Sequence, residues 1–262
     1  SSSVLSVTCL KQIFRQGKGS KIVANAHKIN AGYFPELENE KGSDFIFLHE
    51  DSAEDILQKI SALVDCHIPE KFPFHPINDI QVLSPMKKGV IGIDNLNFIL
   101  QKKLNPQTHA IERMGRCFHL YDKVMQLRNN YDKKVYNGDV GRIVQIDTEE
   151  QELLVNFDGK EVPYEFGEID EITLAYAVSI HKYQGSECPC VIIPVHTSHF
   201  KLLYRNLLYT GITRGKKLVV VIGTKKALAI AVKTDNVKTR HTGLQHFLNS
   251  PPPLIPALSS LF

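Results

Sequence analysis

The feature that most constrains this chain is a rhythm of short, mostly apolar stretches separated by helical spacings. Phe45-Ile46-Phe47-Leu48, Ile80-Gln81-Val82-Leu83, Lys123-Val124-Met125-Gln126-Leu127, Val191-Ile192-Ile193 and Leu218-Val219-Val220-Val221-Ile222 each read as a buried strand. A strand hidden on both faces needs helices above and below it, which predicts a parallel sheet in an α/β fold. Ile22, Ala26 and Ile29 share one helical face behind Ser20, a residue suited to cap it. Ser52 with Asp55 predicts the capped start of a helix carrying Ile56, Leu57, Ile60 and Leu63. Pro69, Pro73 and Pro76 predict a break into loop. Further helices are expected from Ile93 to Leu104, from Leu202 to Tyr209 and from Ala227 to Val232.

One segment interrupts the rhythm. Between Asn137 and Ile172 only short strand-like pieces occur: Val140 to Ile146, Leu153 to Phe157, and Val162-Pro163-Tyr164. The turn signals Asn137-Gly138-Asp139 and Asp158-Gly159-Lys160 separate them. This block is too short in its pieces for an α/β unit and predicts a small antiparallel barrel inserted into the sheet domain. The expected division is a junction over 1–33, a sheet domain over 34–136 and 172–248, the barrel over 137–171, and a tail over 249–262 marked by Pro251-Pro252-Pro253.

The 262 residues are 43% hydrophobic and 23% charged, ordinary values for a chain with its own buried core. Leu218 to Ile222 is among the longest apolar runs and is far too short to cross a bilayer, so no membrane partner is expected. Ser1-Ser2-Ser3 shows neither a basic leader nor an apolar signal core, and no Met opens the chain. The expectation is a piece of a longer cytoplasmic protein. Five cysteines in no regular framework read as reduced thiols. A net charge of +3 permits nucleic-acid binding without arguing for it.

Three stretches carry chemistry. They are Ile13-Phe14-Arg15-Gln16, the run Ala177 to Glu187, and Leu208-Tyr209-Thr210-Gly211-Ile212-Thr213-Arg214-Gly215-Lys216-Lys217. Arg15 and Arg214 each stand at the junction of a regular element. A planar guanidinium there can pair with the charge that develops on a transferring phosphoryl group. Gly185 lets backbone approach a ligand, and His181 and Lys182 offer donors to a phosphate backbone. Taken singly, each has a plainer reading: an arginine at a helix end as a surface ion pair, a His-Lys pair as a solvated turn.

In combination and order these stretches resemble the RecD branch of superfamily 1 helicases. The resemblance runs from about residue 9 to 223. It includes Phe14-Arg15-Gln16 with Ile22 to Asn30, Gln81 to Gly89, Leu96-Asn97, Asp122 to Gln126, Asn129-Asn130-Tyr131, Asn137 to Gly141, Ile180 to Gly185, and Tyr209 to Arg214. It implies a RecA-like parallel sheet domain with an SH3-like insertion that helps grip DNA. It also implies a motor that uses ATP and Mg²⁺ to move 5′ to 3′ along single-stranded DNA. By the same resemblance Arg15 and Arg214 would contact the γ-phosphate, and Gln184, Gly185 and Glu187 would adjoin the nucleotide. Lys87, Ser179, His181, Lys182 and Asn137 would meet the DNA. Tyr183 departs from the small residue that many relatives carry.

A phosphate loop needs Gly-x4-Gly-Lys-Ser/Thr, and Gly17 to Ser20 and Gly211 to Lys217 miss that spacing. The phosphate loop and Mg²⁺ ligands are therefore expected in an N-terminal RecA-like domain of the same parent chain, and this piece alone is expected to be inactive. Ile169-Asp170-Glu171 imitates an Mg²⁺-binding acidic pair but lacks the preceding apolar strand. Cys188-x-Cys190 lacks a second ligand pair at zinc-finger spacing, so no metal site is assigned. Two alternatives stay open: a non-hydrolysing DNA-binding or assembly module, and a helicase segment of a conjugative relaxase. Nuclease or helicase subunits beside the parent are equally open.

Overall fold

A computed structural model describes residues 19–113 and 115–235. Arg15 and its neighbours lie outside the described residues, as does the expected tail over 249–262.

Chain order gives α1 (Lys21–Asn30), β1 (Phe45–His49), α2 (Ala53–Ala62), α3 (Ile68–Lys71), β2 (Ile80–Ser84) and α4 (Ile93–Leu104). Next come β3 (Ala110–Arg113), β4 (Arg116–His119), β5 (Lys123–Gln126), β6 (Val140–Asp147), β7 (Glu152–Phe157), β8 (Lys160–Glu165) and β9 (Ile172–Leu174). The last are β10 (Ala177–Ser179), β11 (Cys188–Val195), α5 (Arg205–Ile212), β12 (Gly215–Gly223) and α6 (Lys225–Lys233). Among the described residues no helix is long and apolar enough to cross a membrane.

Strands β1-β12-β11-β2-β10 form a five-stranded sheet in which every pairing is parallel. Its central strands are buried almost throughout, as their apolar runs demand. Helices α2 and α4 cover one face, packing Ile56, Ile60, Leu96 and Leu100 on Val82, Ile192 and Val220. Helices α1 and α5 pack on each other and on β12, and α5 packs on α6. Helix α1 is capped as expected: Val23 N donates to Ser20 Oγ, and Asp44 at the entry to β1 accepts from Lys21 N at 2.9 Å. Ser52 Oγ likewise accepts from Asp55 N at the start of α2.

Pro69 does not break the chain as expected. Residues 63–67 form a π turn between α2 and α3, with Ile68 N donating to Leu63 O, and Pro69 falls in the first turn of α3. A first-turn proline has no intrahelical N–H to lose. The expected helix from Leu202 to Tyr209 divides into a 3₁₀ segment over Thr197–Leu202 and α5.

The second sheet is antiparallel, in the order β8-β7-β6-β5-β9. Phe157 pairs with Lys160 across the two-residue turn at Asp158-Gly159. Inward residues Ile143, Ile146, Leu153, Val155, Val162 and Tyr164 meet Phe118 of the β3–β4 hairpin in one core. This sheet is wider than the expected block over 137–171. Lys123 to Gln126 belongs to it and not to the parallel sheet, and so does Ile172 to Leu174. The reason is burial: every residue of β5 is buried, with Val124 in the barrel core and Lys123 reaching Ile80 O of the parallel sheet, so the stretch resembles a buried parallel strand.

Polar residues join the two sheets. Asp122 accepts from Gln101 Nε2, Asn105 Nδ2, His119 N and Tyr176 Oη. Burial still holds its carboxyl above the ordinary carboxylate value. Lys123 is buried, donates from Nζ to Ile80 O at 3.3 Å, and is pushed by desolvation below the usual lysine value.

Candidate functional site

Strands β2 and β10 end side by side, with Ser179 in register with Ser84. Two internal zips set this corner. Asn97 of α4 pairs its amide with both Ala177 N and Ala177 O, closing the edge of β10. Gln81 Nε2 donates to Ala175 O and Tyr176 O. After β2, Ser84 Oγ donates to Ile91 O and folds the loop that carries Lys87. That loop caps α4 with main chain: Ile93 N and Asp94 N donate to Met86 O and Lys87 O. Gly92 permits this, since a Cβ there would stand 2.5 Å from Lys88 main-chain atoms.

A cleft of about 410 Å³ opens between this corner and the barrel, lined by Lys87, Arg116, Ser179, Lys182, Thr173 and Asp94 among others. Partial desolvation, with Lys87 and Arg116 nearby, holds Lys182 below the ordinary lysine value. Three cations therefore converge on one cleft, a surface suited to phosphate oxygens. Arg116 was not among the expected residues. It stands on the β3–β4 hairpin, in register with Arg113, and donates to Ile172 O at 2.9 Å. Only the pair of arginines flanking Gly115 could have drawn notice in the sequence.

Of the expected DNA-facing residues, the fold brings Lys87, Ser179 and Lys182 together. Ser179 Oγ accepts from Lys182 N. Asn137 is close by: the next residue, Gly138, faces Lys182 O, where an added Cβ would be 3.3 Å away. His181 turns aside and its Nε2 meets Tyr204 Oη at 2.9 Å.

From Ser179 the chain returns through turns to the opposite end of the sheet, where β11 and β12 begin. Tyr183 anchors this passage. It is buried, donates from N to Ser179 O, and is pushed upward in pKa by burial and the neighbouring Cys188. Gln184 and Gly185 are exposed, and Gly185 takes φ +92, a conformation that excludes most side chains. Arg214 follows α5 at this end. Its Nε donates to Thr210 O, Nη1 to Ser186 O and Nη2 to Thr213 Oγ1, while its own carbonyl accepts from Cys188 N. Glu187 pairs with Lys216 at 2.5 Å. Arg214 and Glu187 thus stand at one end of the passage and the cations at the other, with the exposed Gln184 and Gly185 between them.

The acidic pair at the barrel exit is engaged inside the fold. Asp170 pairs with Arg128, and Glu171 accepts from Gln126 Nε2 and Asn130 Nδ2. Cys188 and Cys190 are buried free thiols whose pKa values burial raises.

Residues 96–157 match the family model described as the SH3 domain of ATP-dependent RecD-like DNA helicases. Residues 174–222 match the UvrD-like helicase C-terminal domain. The chain is 30% identical over 235 residues to the ATP-dependent RecD2 DNA helicase of Deinococcus radiodurans, covering 90% of this chain and 31% of that one. It is 27% identical over 169 residues to the RecBCD enzyme subunit RecD of Mycolicibacterium smegmatis, covering 64% and 29%. The chain spans about a third of the length of these relatives. The crystal structure of a Bacteroides Pif1 helicase with ADP-AlF3 and ssDNA superposes with a TM-score of 0.50 at 17% identity, covering 80% of this chain and 51% of that one. The parallel sheet is therefore RecA-like, the antiparallel insertion is SH3-like, and the chain is similar to the C-terminal region of RecD-like DNA helicases.

Proposed function

We propose that the chain is the second motor half of an ATP-dependent 5′–3′ DNA helicase. The observation that carries this reading is the passage from Ser179 to Glu187. One end of it faces the cleft of Lys87, Arg116 and Lys182, and the other holds Arg214. A single short segment thus couples a phosphate-binding surface to an arginine.

In this reading Lys87, Ser179, Lys182 and Asn137 meet the phosphates of single-stranded DNA, with His181 beside them. Arg214, together with Arg15, reaches the γ-phosphate of ATP held by an N-terminal RecA-like domain of the same parent. Gln184, Gly185 and Glu187 adjoin the nucleotide. The residues fit the arginine-donating half of a nucleotide site. The guanidinium is held at three nitrogens by Thr210, Ser186 and Thr213, which fixes its direction. They do not fit a Mg²⁺ site, since the Asp170–Glu171 pair is consumed by Arg128, Gln126 and Asn130. Mg²⁺ ligands and the phosphate loop belong to the partner domain, and the fragment alone does not hydrolyse ATP.

One observation favours a second reading. The same three bonds to Arg214 suit a purely structural tie, as a non-hydrolysing DNA-binding module would use. The two readings part in the parent enzyme. Under the first, Arg214→Ala lowers kcat steeply and leaves the affinity for DNA intact. Under the second, it lowers the unfolding midpoint, and there is no DNA-stimulated turnover for it to change. Steady-state ATP turnover with saturating DNA, beside thermal unfolding, decides between them.

A further inference from the structure

We propose that Tyr131 and Tyr136 form a stacking platform for the bases of single-stranded DNA, beside the cation-lined cleft. The inference rests on the reading of that cleft as a strand track, and adds to it the groups that would hold the bases.

Two tyrosines stand out on the surface leading into β6. Tyr131 is 73% exposed and Tyr136 47%, and their rings meet edge to face with centroids 6.2 Å apart. Scattered exposed aromatics are common on protein surfaces. This pair differs in being held. Asn130 and Val135 close a tight hairpin with both N–H groups donating to the opposite carbonyls. Val135, between the two tyrosines in sequence, is buried in the barrel core. Asn130 Oδ1 accepts from Lys133 N inside the tip, and Lys133 is tied to Glu168 at 2.5 Å. Tyr136 N donates to Asp139 Oδ2. Rings fixed in this way lose little freedom when a flat ligand lands on them.

The pair is linked to the cleft by a continuous chain of contacts. Asn129 Nδ2 donates to Tyr131 Oη at 3.3 Å, and Asn129 Oδ1 accepts from Asn137 N at 3.0 Å. Gly138 then abuts the main-chain oxygen of Lys182. Exposed Lys134 lies within the hairpin itself. Cations for phosphates and fixed aromatic faces for bases are the two components of sequence-tolerant single-strand binding. Tyrosine faces accept any base, which suits a strand that must be tracked and not read.

The test compares a labelled oligodeoxynucleotide with the same strand made abasic, both titrated into the full chain by fluorescence anisotropy. A stacked base contributes about 5- to 140-fold in affinity. The wild type should prefer the base-bearing strand by an amount in that range. The double variant Tyr131→Ala, Tyr136→Ala should lose the preference while keeping the salt dependence, and the double phenylalanine variant should retain it. A 2-aminopurine within the strand should be quenched by the wild type and not by the alanine variant. Both rings are exposed, and an unchanged unfolding midpoint confirms the fold of each variant. Equal wild-type affinity for the two strands, or a preference that survives the alanine pair, overturns the platform while leaving the cleft reading intact. Absence of salt-dependent binding to either strand overturns the cleft reading itself.

Discussion

The two sheets of this molecule spend their polar residues in opposite ways. In the parallel sheet both faces are covered, and polar side chains inside it act as internal ties: Gln81 to the linker before β10, Ser84 to its own loop, Asn97 to the edge strand. Charged groups that could meet a ligand stand at the strand ends: Lys87 and Lys182 line the cleft, and Arg214 is held there by Thr210, Ser186 and Thr213. The antiparallel sheet hides one face. Strands β7 and β8 alternate buried and more exposed residues, so the outer surface and hairpin tips carry polar and aromatic groups along their length. Under the proposed function, the ends of the first sheet would carry the arginine chemistry and part of the phosphate contacts, and the second sheet would add grip.

The largest expected effect tests the first half of that division. In the parent enzyme, Arg214→Ala should reduce kcat by about 10³- to 10⁵-fold, the usual contribution of an arginine finger. At ~1.4 kcal/mol per tenfold this is roughly 4 to 7 kcal/mol of barrier. Arg214→Lys should be nearly as damaging, because a point charge cannot reproduce the planar fork or its bonds to Thr210 and Ser186. DNA affinity, measured by anisotropy, should hold. A kcat within threefold of wild type, roughly 0.6 kcal/mol, would remove chemistry from the ends of the parallel sheet.

The next effect tests whether the two sheets are separable at all. Asp122 is fully buried where they join, and four donors from α4, its flank, the β4 turn and the β9–β10 linker converge on it. Asp122→Ala leaves those donors without an acceptor, at about 3 kcal/mol. Asp122→Asn should cost about as much, since its amide N–H₂ points donors at donors. Calorimetry should show one transition in the wild type. In the variants it should show a lower midpoint, with barrel and parallel sheet melting apart. A variant that melts as one unit at the wild-type midpoint would mean that the joint lies elsewhere.

The same contrast explains what was legible in the sequence. β2, β11 and β12 are visible as apolar runs because double burial tolerates little else, and the half-buried edge strand β1 is visible through Phe45 to Leu48. β6 to β8 are visible through alternation and through Asp158-Gly159. β5 misleads because it is an antiparallel strand buried at every position, and burial alone does not reveal pairing direction. Lys87, Ser179 and Lys182 are legible as motif members. Arg116 is not: its hairpin has no motif, and only the fold carries it into the cleft. Tyr131 belongs to a stretch that carries the resemblance, but its pairing with Tyr136 is hidden until Asn130 and Val135 close the loop between them.

A smaller effect separates the sheets by acid. His199, in the 3₁₀ segment after β11, is 2% exposed, and its Nδ1 has no hydrogen-bond partner among the described residues. Burial, with His196 nearby, lowers its pKa to about 4. The folded state therefore prefers the neutral ring, whereas the unfolded chain protonates near the ordinary 6.5. This contribution to stability is complete above the unfolded value and is lost as pH falls from 6.5 towards 4. The loss should reach about 2 kcal/mol by pH ~5. His199→Leu should flatten that part of the stability profile, with denaturant unfolding at stepped pH as the measurement. A slope unchanged in the variant would trace the acid sensitivity to another group.

The smallest effect probes the seam where the two regions share one ligand. Lys182 belongs to the turn after β10, yet it faces Arg116 of the barrel side and lies under Gly138. If a strand runs through this cleft, each cation that meets a phosphate releases counterions, and log affinity falls with log salt by roughly 0.7 per contact. Lys182→Ala and Arg116→Ala should each reduce that slope by about 0.7 and weaken binding by about tenfold at low salt. The two losses should add in slope, because counterion release counts contacts and is indifferent to which sheet supplies them. Substituting the exposed Lys226 of α6, Lys226→Ala, should change neither quantity. A division of labour confined to the barrel predicts something else: Arg116→Ala alone would alter the slope, and Lys182→Ala would leave it untouched. That outcome would move the DNA track off the parallel sheet and on to the insertion. The passage from Ser179 to Glu187 would then no longer couple DNA to Arg214.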